Sequence, residues 1–313
     1  MGAAISERGK IGPPADRTTL GTKLDLIPLL ALVGVTVVWG GTFVVVKDVT
    51  QQASPMDFLA VRFLIATAVL LALRPRWPVN PSRTMWGRGV LLGLMLCGAY
   101  IAQTYGQQHT SASISGFITG LAVVFTPVLG GMILRKRIGL ACWSSVAVAT
   151  TGLAVMSLKS FTIGFGESLT LLCAIFLAMH ITALGEWSGT GDAYVLTVVQ
   201  LGVVGSVCLA LGAMDGIVLP ATWSFWAPVV GLAVLATAAA YLVQTWAQAR
   251  LPASAVAVVL TLEPVFAGVF GVVVDGDEMT LRIVIGALLV LGAMFLAELR
   301  PKSPARSRKT SES

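Results

Sequence analysis

The sequence has 313 residues, of which 56% are hydrophobic and only 12% are charged, and its formal net charge is +6 at pH 7. Soluble domains carry about 25% charged residues, so this composition excludes an ordinary soluble protein. The hydrophobic residues fall in blocks of roughly 16–22, close to the length of an α-helix that crosses a bilayer. Because a helix satisfies its own backbone groups, we predict an all-α integral membrane protein.

Ten such blocks follow one another, and each is predicted to form one transmembrane helix. In chain order, spans 1–10 are predicted at Ile27–Val46, Phe58–Leu73, Val90–Tyr105, Ile114–Leu134, Cys142–Leu158, Leu169–Leu184, Val195–Leu211, Phe225–Trp246, Ala253–Val274 and Ile283–Leu296. The polar segments 1–25 and 300–313 are rich in serine, proline and charge, and we expect both to be disordered tails.

Lysine and arginine predict the orientation. With the N-terminus inside the cell, 17 of the 21 basic residues fall in the tails and the inner loops. This bias predicts a multi-pass protein of the plasma (inner) membrane with both termini in the cytoplasm. The positive charge is therefore a topology signal that does not imply nucleic acid, although the basic tails can also contact anionic membrane lipid.

One stretch of the chain occurs twice. It reads Tyr100-Ile-Ala-Gln103-Thr104-Tyr105-Gly-Gln107 in span 3 and Tyr241-Leu-Val-Gln244-Thr245-Trp246-Ala-Gln248 in span 8. The repeat divides the chain into two five-helix units, 27–158 and 166–298. Since five is odd, the second unit enters the membrane from the opposite side, which predicts two inverted repeats.

The repeated stretch carries the candidate substrate-binding residues. Polar and aromatic side chains recur at i, i+3, i+4 and i+7, so they share one helical face. The candidates are Tyr100, Gln103, Thr104 and Gln107 in span 3, Tyr241, Gln244, Thr245 and Gln248 in span 8, and Trp39 and Thr42 in span 1. We interpret them as the lining of a cavity, and the alternative is hydrogen bonding between spans.

Two ionisable residues inside the spans are candidates for coupling transport to protons. Glu263 lies about ten residues into span 9, or about 15 Å from the inner surface at 1.5 Å per residue. An ionisable group at this depth is expensive, so it suggests a functional role, with a neutral, hydrogen-bonded glutamate as the alternative. His180 in span 6 titrates near neutral pH when unperturbed, but a histidine with no visible partner also serves in packing.

Arg62 in span 2 and two prolines are assigned structural roles. An unpaired arginine is costly in hydrocarbon, so Arg62 is expected to pair with Asp57, with Glu167 or with a substrate carboxylate. Pro127 and Pro264 remove backbone donors from spans 4 and 9. At Pro264 the carbonyl of Leu260 would lose its helical partner, which predicts a flexible point or an exposed carbonyl beside Glu263.

Several short motifs together resemble a known family. They are Trp39-Gly40-Gly41-Thr42-Phe43, Pro55, Arg62-Phe63, Thr261-Leu-Glu263-Pro264-Val265-Phe266-Ala267 and Gly276-Asp-Glu278. In this order the chain resembles the EamA-type branch of the drug/metabolite transporter superfamily. The resemblance implies a ten-helix carrier that exports or exchanges small metabolites, such as amino acids, or toxic compounds. Arg135-Lys136-Arg137 departs from the family, which often has a Gly-Glu pair there.

We therefore predict that the protein is a secondary transporter that exports a small molecule by alternating access. Proton exchange is one way in which this export could be driven. The sequence contains no enzyme signature and predicts no metal site and no cofactor. The alternative is an intramembrane enzyme or lipid-handling protein that uses Glu263 or His180 as acid or base, and a third is a scaffold without a cavity. Membrane lipid is an expected partner, and a homodimer is a further possibility.

Overall fold

The computed structural model describes residues 26–74, 82–133, 139–157, 163–187, 192–251, 256 and 259–298, without the side chains of residues 133, 141, 142, 156, 157, 297 and 298. Both predicted tails lie outside these residues. So do Arg135-Lys136-Arg137 and the first residues predicted for span 9.

Every regular element in the described residues is a helix. The α-helices are α1 (Leu26–Val49), α2 (Pro55–Leu73), α3 (Arg83–Gln107), α4 (Ala112–Gly120), α5 (Ala122–Ile133), α6 (Leu140–Ser157), α7 (Phe165–Trp187), α8 (Ala193–Asp215), α9 (Trp223–Gly231), α10 (Ala240–Gln248), α11 (Leu262–Val273) and α12 (Leu281–Glu298). A π-helix, Leu232–Ala239, joins α9 to α10. The predicted all-α fold is confirmed.

These helices correspond to the ten predicted spans in order. Helices α4 and α5 form span 4, and α9, the π-helix and α10 form span 8. Among the described residues, seven segments are long and apolar enough to cross a membrane, and the apolar helices Trp143–Val155, Leu262–Val273 and Leu281–Leu296 are shorter. Several helices begin before the apolar blocks, because a polar capping residue sets the start. Ser54, for example, accepts a hydrogen bond from the Asp57 backbone N–H at 3.1 Å.

The packing of the spans follows the inverted repeat. Spans 2 and 7, spans 4 and 9, and spans 5 and 10 pack on each other, and each pair is one span with its own copy. Span 3 packs on spans 6 and 7, and the copies of these contacts are made by span 8 with spans 1 and 2. The contacts therefore map onto themselves when each half is exchanged for the other, as a pseudo-two-fold axis in the membrane plane requires.

Glycines allow the closest approaches between the halves. A Cβ on Gly40 of α1 would lie 2.5 Å from the Cβ of Phe266 and 2.8 Å from the Ala267 nitrogen in α11. A Cβ on Gly116 of α4 would collide with Ala267, and one on Gly120 would lie 3.0 Å from the Pro264 ring. The glycine motif of span 1 is thus explained by backbone contact between helices, as is usual for small residues in membranes.

Within the part of the chain that the structure describes, three spans are interrupted inside the membrane region. Span 4 breaks at Leu121 between α4 and α5, span 9 has a turn at Thr261 before α11, and span 8 contains the π-helix. Irregular backbone at membrane depth is tolerated only where protein buries it or where it lines a cavity. The three interruptions therefore indicate where a binding site is to be sought.

Contacts between the two halves close the end of the molecule that is predicted to face outward. Lys47 of α1 forms an ion pair with Asp275 after α11, at 2.5 Å. Asp277 accepts a hydrogen bond from the backbone N–H of Ser113 in α4, at 2.8 Å. At the opposite end, Arg74 pairs with Asp192 at 2.9 Å. Both ends of this conformation are therefore bridged between the halves.

We predict that Gly40→Ala lowers stability by about 1–3 kcal/mol, because the added methyl group has no space between α1 and α11. Thermal unfolding of the purified protein in detergent measures the effect.

Gly34→Ala in the same helix is the matched control, since a Cβ on Gly34 would meet nothing within 4 Å. Its stability should change by less than about 1 kcal/mol, the helix-propensity difference between glycine and alanine. Equal melting temperatures for the two variants would contradict the close contact between α1 and α11.

Candidate functional site

A small cavity lies between spans 1, 3, 4, 6, 8 and 9, and this set of spans maps onto itself under the pseudo-two-fold operation. Its lining is Trp39, Thr42, Ala99, Tyr100, Gln103, Thr119, Gly120, Ala122, Val123, Cys173, Leu177, His180, Ile181, Tyr241, Gln244, Leu260 and Glu263. The volume is about 60 Å³. Ligand pockets usually have about 300–1,000 Å³, so the halves must separate before a drug-sized molecule can enter.

Two tyrosines from the repeated stretch meet in this cavity. The Tyr241 hydroxyl donates a hydrogen bond to the Tyr100 hydroxyl at 3.0 Å, and these residues are 141 positions apart, which is the shift of the repeat. A residue and its own copy can touch only beside the axis that relates them. The pseudo-two-fold axis therefore passes between the two hydroxyls, and the cavity lies on it.

Aromatic rings surround this tyrosine pair. The Trp39 and Tyr241 ring centroids are 5.4 Å apart, and the Phe63 and Tyr100 rings meet edge to face at 4.7 Å. The Trp39 indole N–H donates to the Ala236 carbonyl of the π-helix at 2.8 Å. Thr42, one turn further along α1, donates to the Trp39 carbonyl at 2.7 Å. Both predicted span 1 residues thus line the cavity.

Glu263 lines the same cavity from the first turn of α11. Among the described residues, its half-buried carboxyl group takes part in no hydrogen bond or ion pair. Negative charge is favoured at a helix N-terminus, because the free backbone N–H groups there carry partial positive charge. Glu263 is therefore available to a ligand or a proton.

The prolines act differently from each other. Pro264 lies in the first turn of α11, where a missing N–H costs nothing, so it helps to start this helix after the turn at Thr261. Its ring also packs beside Gly120. Pro127 lies inside α5 and does not line the cavity. The irregular point that the sequence predicts in span 9 is therefore the start of helix α11.

The structure brings half of the repeated polar set into the cavity. Gln103 and Gln244 line it, and each is the copy of the other. Thr104, Gln107, Thr245 and Gln248 lie outside it. Thr245 donates to the Tyr241 carbonyl at 2.8 Å and accepts from Thr197 at 3.2 Å, so it joins neighbouring spans. The helical face formed by positions i, i+3, i+4 and i+7 is wider than the cavity. For this reason only some residues of the repeated stretch line the cavity.

His180 also lines the cavity, and its partner could not be seen in the sequence. Its Nε2 atom lies 2.7 Å from Gln200 Oε1 of α8. An amide oxygen only accepts hydrogen bonds, so this nitrogen donates. His180 and Glu263 form no hydrogen bond or ion pair with each other in the described part of the chain.

Arg62 lies behind the cavity wall, and its expected carboxylate partners bind elsewhere. Its Nε donates to the Thr237 hydroxyl of the π-helix at 2.8 Å, and its guanidinium carbon lies 5.1 Å from the Tyr100 ring centre. Asp57 accepts from the Val218 N–H, and Glu167 lies near the Thr110 hydroxyl. The prediction that Arg62 pairs with Asp57 or Glu167 is therefore wrong in this conformation. The guanidinium group is held instead by the Thr237 hydroxyl and by aromatic rings.

Several lining residues were missed. Thr119 of α4 and Cys173 and Leu177 of α7 face the cavity. They lie in apolar stretches without a repeated counterpart of similar chemistry, so no pattern in the sequence could distinguish them from packing residues.

We predict that Tyr100→Phe and Tyr241→Phe each destabilise the protein by about 1–3 kcal/mol, because each leaves a buried hydroxyl without its partner. The double variant should lose less than the sum of the two, since neither hydroxyl then remains unpaired.

Thermal unfolding of the four proteins in one detergent gives this double-mutant cycle. Strictly additive losses would show that the two hydroxyl groups do not interact, and would remove the contact that places the pseudo-two-fold axis.

The comparisons with known proteins agree with this fold. The chain is 29% identical over 272 residues to a protein of Archaeoglobus fulgidus named "Uncharacterized transporter", covering 87% of this chain and 85% of that protein. It is 22% identical to "Uncharacterized transporter YoaV" of Bacillus subtilis, covering 86% and 95%. A crystal structure of a protein with 15% identity superposes with a TM-score of 0.65 over 87% of this chain and 96% of the other, so the fold is shared. The model of the EamA-like transporter family matches residues 26–158 and 164–299, and the chain therefore belongs to this family of membrane transporters.

Proposed function

We propose that the protein is a secondary transporter that exports small metabolites, such as amino acids, or drug-like compounds by alternating access. The observation that carries the proposal is the position of Glu263, which lines the cavity on the pseudo-two-fold axis without a partner among the described residues. Ionisable residues at membrane depth usually mark substrate or proton pathways.

The inverted repeat supports alternating access. Two similar halves of opposite orientation can exchange their conformations, which opens one shared cavity to each side in turn. The cavity of about 60 Å³ is small, and contacts bridge the halves at both ends. We interpret this conformation as a closed stage of such a cycle, in which the ion pairs at either end must break before that side opens.

Proton coupling follows from the chemistry of Glu263. A carboxyl group that loses its water is more easily kept neutral, and opening to one side restores water and favours ionisation. Glu263 can therefore take up a proton on one side and release it on the other. The bias of basic residues predicts that both termini lie in the cytoplasm and that the protein resides in the plasma membrane. On that orientation, export from the cell corresponds to uptake into inside-out vesicles.

The alternative of an intramembrane enzyme rests on Glu263 and His180, which line the same cavity. General acid–base catalysis by such a pair requires both groups within hydrogen-bonding reach of the reacting atoms. The Nε2 atom of His180 is engaged by Gln200, and His180 and Glu263 form no hydrogen bond or ion pair with each other in the described part of the chain. The geometry therefore favours transport.

We predict that purified protein in inside-out proteoliposomes takes up at least one solute from a panel of amino acids and cationic dyes, and that a pH gradient accelerates uptake. Glu263→Gln should abolish the acceleration by the gradient while the protein remains folded, because the amide cannot carry the proton.

Glu278→Gln is the matched control, since Glu278 is exposed in the loop between α11 and α12 and lies outside the cavity. Its pH response should equal that of the parent protein. An unchanged pH response in Glu263→Gln would remove Glu263 from the coupling, and no flux of any solute in either vesicle orientation would contradict the transport proposal.

A further inference from the structure

Some hydrogen-bond acceptors of the cavity-lining residues have no donor among the described residues. The Glu263 carboxyl group has no partner among the described residues, and the Gln244 Oε1 atom is buried and unpaired. His180 uses Nε2 to donate to Gln200, which leaves its Nδ1 as an acceptor. Unpaired buried acceptors are costly, so a ligand that fits here must bring hydrogen-bond donors.

The donors that line the cavity are neutral. They include the Tyr100 hydroxyl, which accepts from Tyr241 and keeps its own proton, the Gln244 amide nitrogen and the Thr119 hydroxyl. Gln103 already points its amide nitrogen at Thr119, at 3.5 Å. In the described chain no lysine or arginine lines the cavity, because Arg62 lies behind Tyr100. When Glu263 is ionised, the formal charge at the cavity surface is therefore negative.

The aromatic residues add to this preference. Trp39, Tyr100 and Tyr241 line the cavity, and the two tyrosine rings are 6.4 Å apart. Aromatic faces carry negative potential and attract cations, most strongly where water is excluded. A carboxylate beside three aromatic rings is thus matched to a positively charged group.

From these contacts we infer that the cavity binds a small protonated amine, with Glu263 as its counter-ion and Trp39, Tyr100 and Tyr241 as its aromatic wall. The inference deepens the proposed function and rests on it, because the amine would be the transported solute. A primary ammonium group has three donors, so it can donate to the Glu263 carboxylate and to other acceptors among the lining residues.

The buried charge of Arg62 is compatible with this ligand. Bound ammonium replaces the proton of a neutral Glu263, and that proton leaves to water. The net charge of Arg62, Glu263 and the ligand is then the same before and after the exchange. A free anion would instead have to contact Glu263 and the acceptor side of the cavity, which is unfavourable.

The volume limits the size of the ligand in this conformation. About 60 Å³ accommodates roughly four water-sized groups at about 15 Å³ each. Propylamine has this size, and a larger amine would require the halves to separate. Three ligands of similar size serve as comparisons. Propan-1-ol has a neutral hydroxyl group in place of the ammonium group, propionate has a negative carboxylate in its place, and alanine carries a carboxylate in addition to its ammonium group.

Titration calorimetry of the full chain in nanodiscs at constant ionic strength tests the inference. We expect propylamine to bind at least about tenfold more tightly than propan-1-ol, propionate or alanine, as for a charge-assisted hydrogen bond. Glu263→Gln should weaken propylamine about ten- to one-hundredfold, and Glu278→Gln should leave it unchanged. Tighter binding of propionate or alanine, or an unchanged affinity in Glu263→Gln, would overturn the inference.

The affinity of the parent protein for propylamine, measured over a series of pH values, gives a second test that requires no variant to fold. Between pH 5 and pH 9 an alkylamine stays protonated, as lysine does with its pKa of about 10.4, so competition with protons at Glu263 makes affinity rise with pH. The titratable groups facing Glu263 are Tyr100, Cys173, His180 and Tyr241, with Arg62 behind them. His180→Gln separates the contribution of histidine. An affinity that is independent of pH, or falls as pH rises, contradicts the exchange.

The outcome is distinguishable from that of the transport proposal. Amine binding without flux of the amine or of any other solute in proteoliposomes would support the ligand class and contradict transport. Flux of another solute without amine binding would support transport and overturn the inference.

Discussion

The need to satisfy every backbone polar group inside hydrocarbon determines how this molecule is built. Regular helices meet this need, and the chain departs from them within the membrane region at Leu121, at Leu232–Ala239 and at Thr261. Residues that line the cavity flank the departures at Leu121 and Thr261, and the π-helix ends two residues before Tyr241, which also lines it. In the π-helix the Ala236 carbonyl accepts from Trp39, and the Thr237 hydroxyl accepts from Arg62 and donates to the Leu232 carbonyl. Irregular backbone and polar side chains thus support each other around the site.

Because of the inverted repeat, equivalent positions of the two halves surround this site. The residues at some of these positions nevertheless differ in chemistry. Tyr100 and Tyr241 meet on the axis, and Gln103 and Gln244 flank it as copies. Glu263 has no acidic counterpart, because the equivalent position in the first half is Thr126, whose hydroxyl donates to the Ala122 carbonyl at 2.7 Å. The two halves therefore contribute matching tyrosines and glutamines to the cavity, while in the described lining only the second half contributes a carboxyl group.

Much of this could be predicted from the sequence. The length of the apolar blocks predicted the spans, and the repeated stretch predicted the two tyrosines and two glutamines of the cavity, because periodicity identifies a shared face. Helix starts were placed too late at Phe58 and Val90, since caps such as Ser54 and Ser82 extend helices into polar sequence. The partners of Arg62 and His180 could not be predicted. Thr237 and Gln200 lie on other spans, and which spans pack together is decided in three dimensions. The contacts of Asp275 with Lys47 and of Asp277 with the Ser113 N–H could not be predicted for the same reason.

The central claim is that the halves must separate at each end in turn, and a reversible cross-link at the predicted outer end tests it most directly. A Cβ on Gly271 of α11 would lie against the Ser113 hydroxyl of α4, so cysteines at these two positions are close enough for a disulfide. In a background with Cys97, Cys142, Cys173 and Cys208 replaced, flux of a transported solute would be measured for Ser113→Cys with Gly271→Cys, and for each single variant. Alternating access predicts that oxidation stops flux in the double variant alone and that reduction restores it. Undiminished flux through fully cross-linked protein would contradict it.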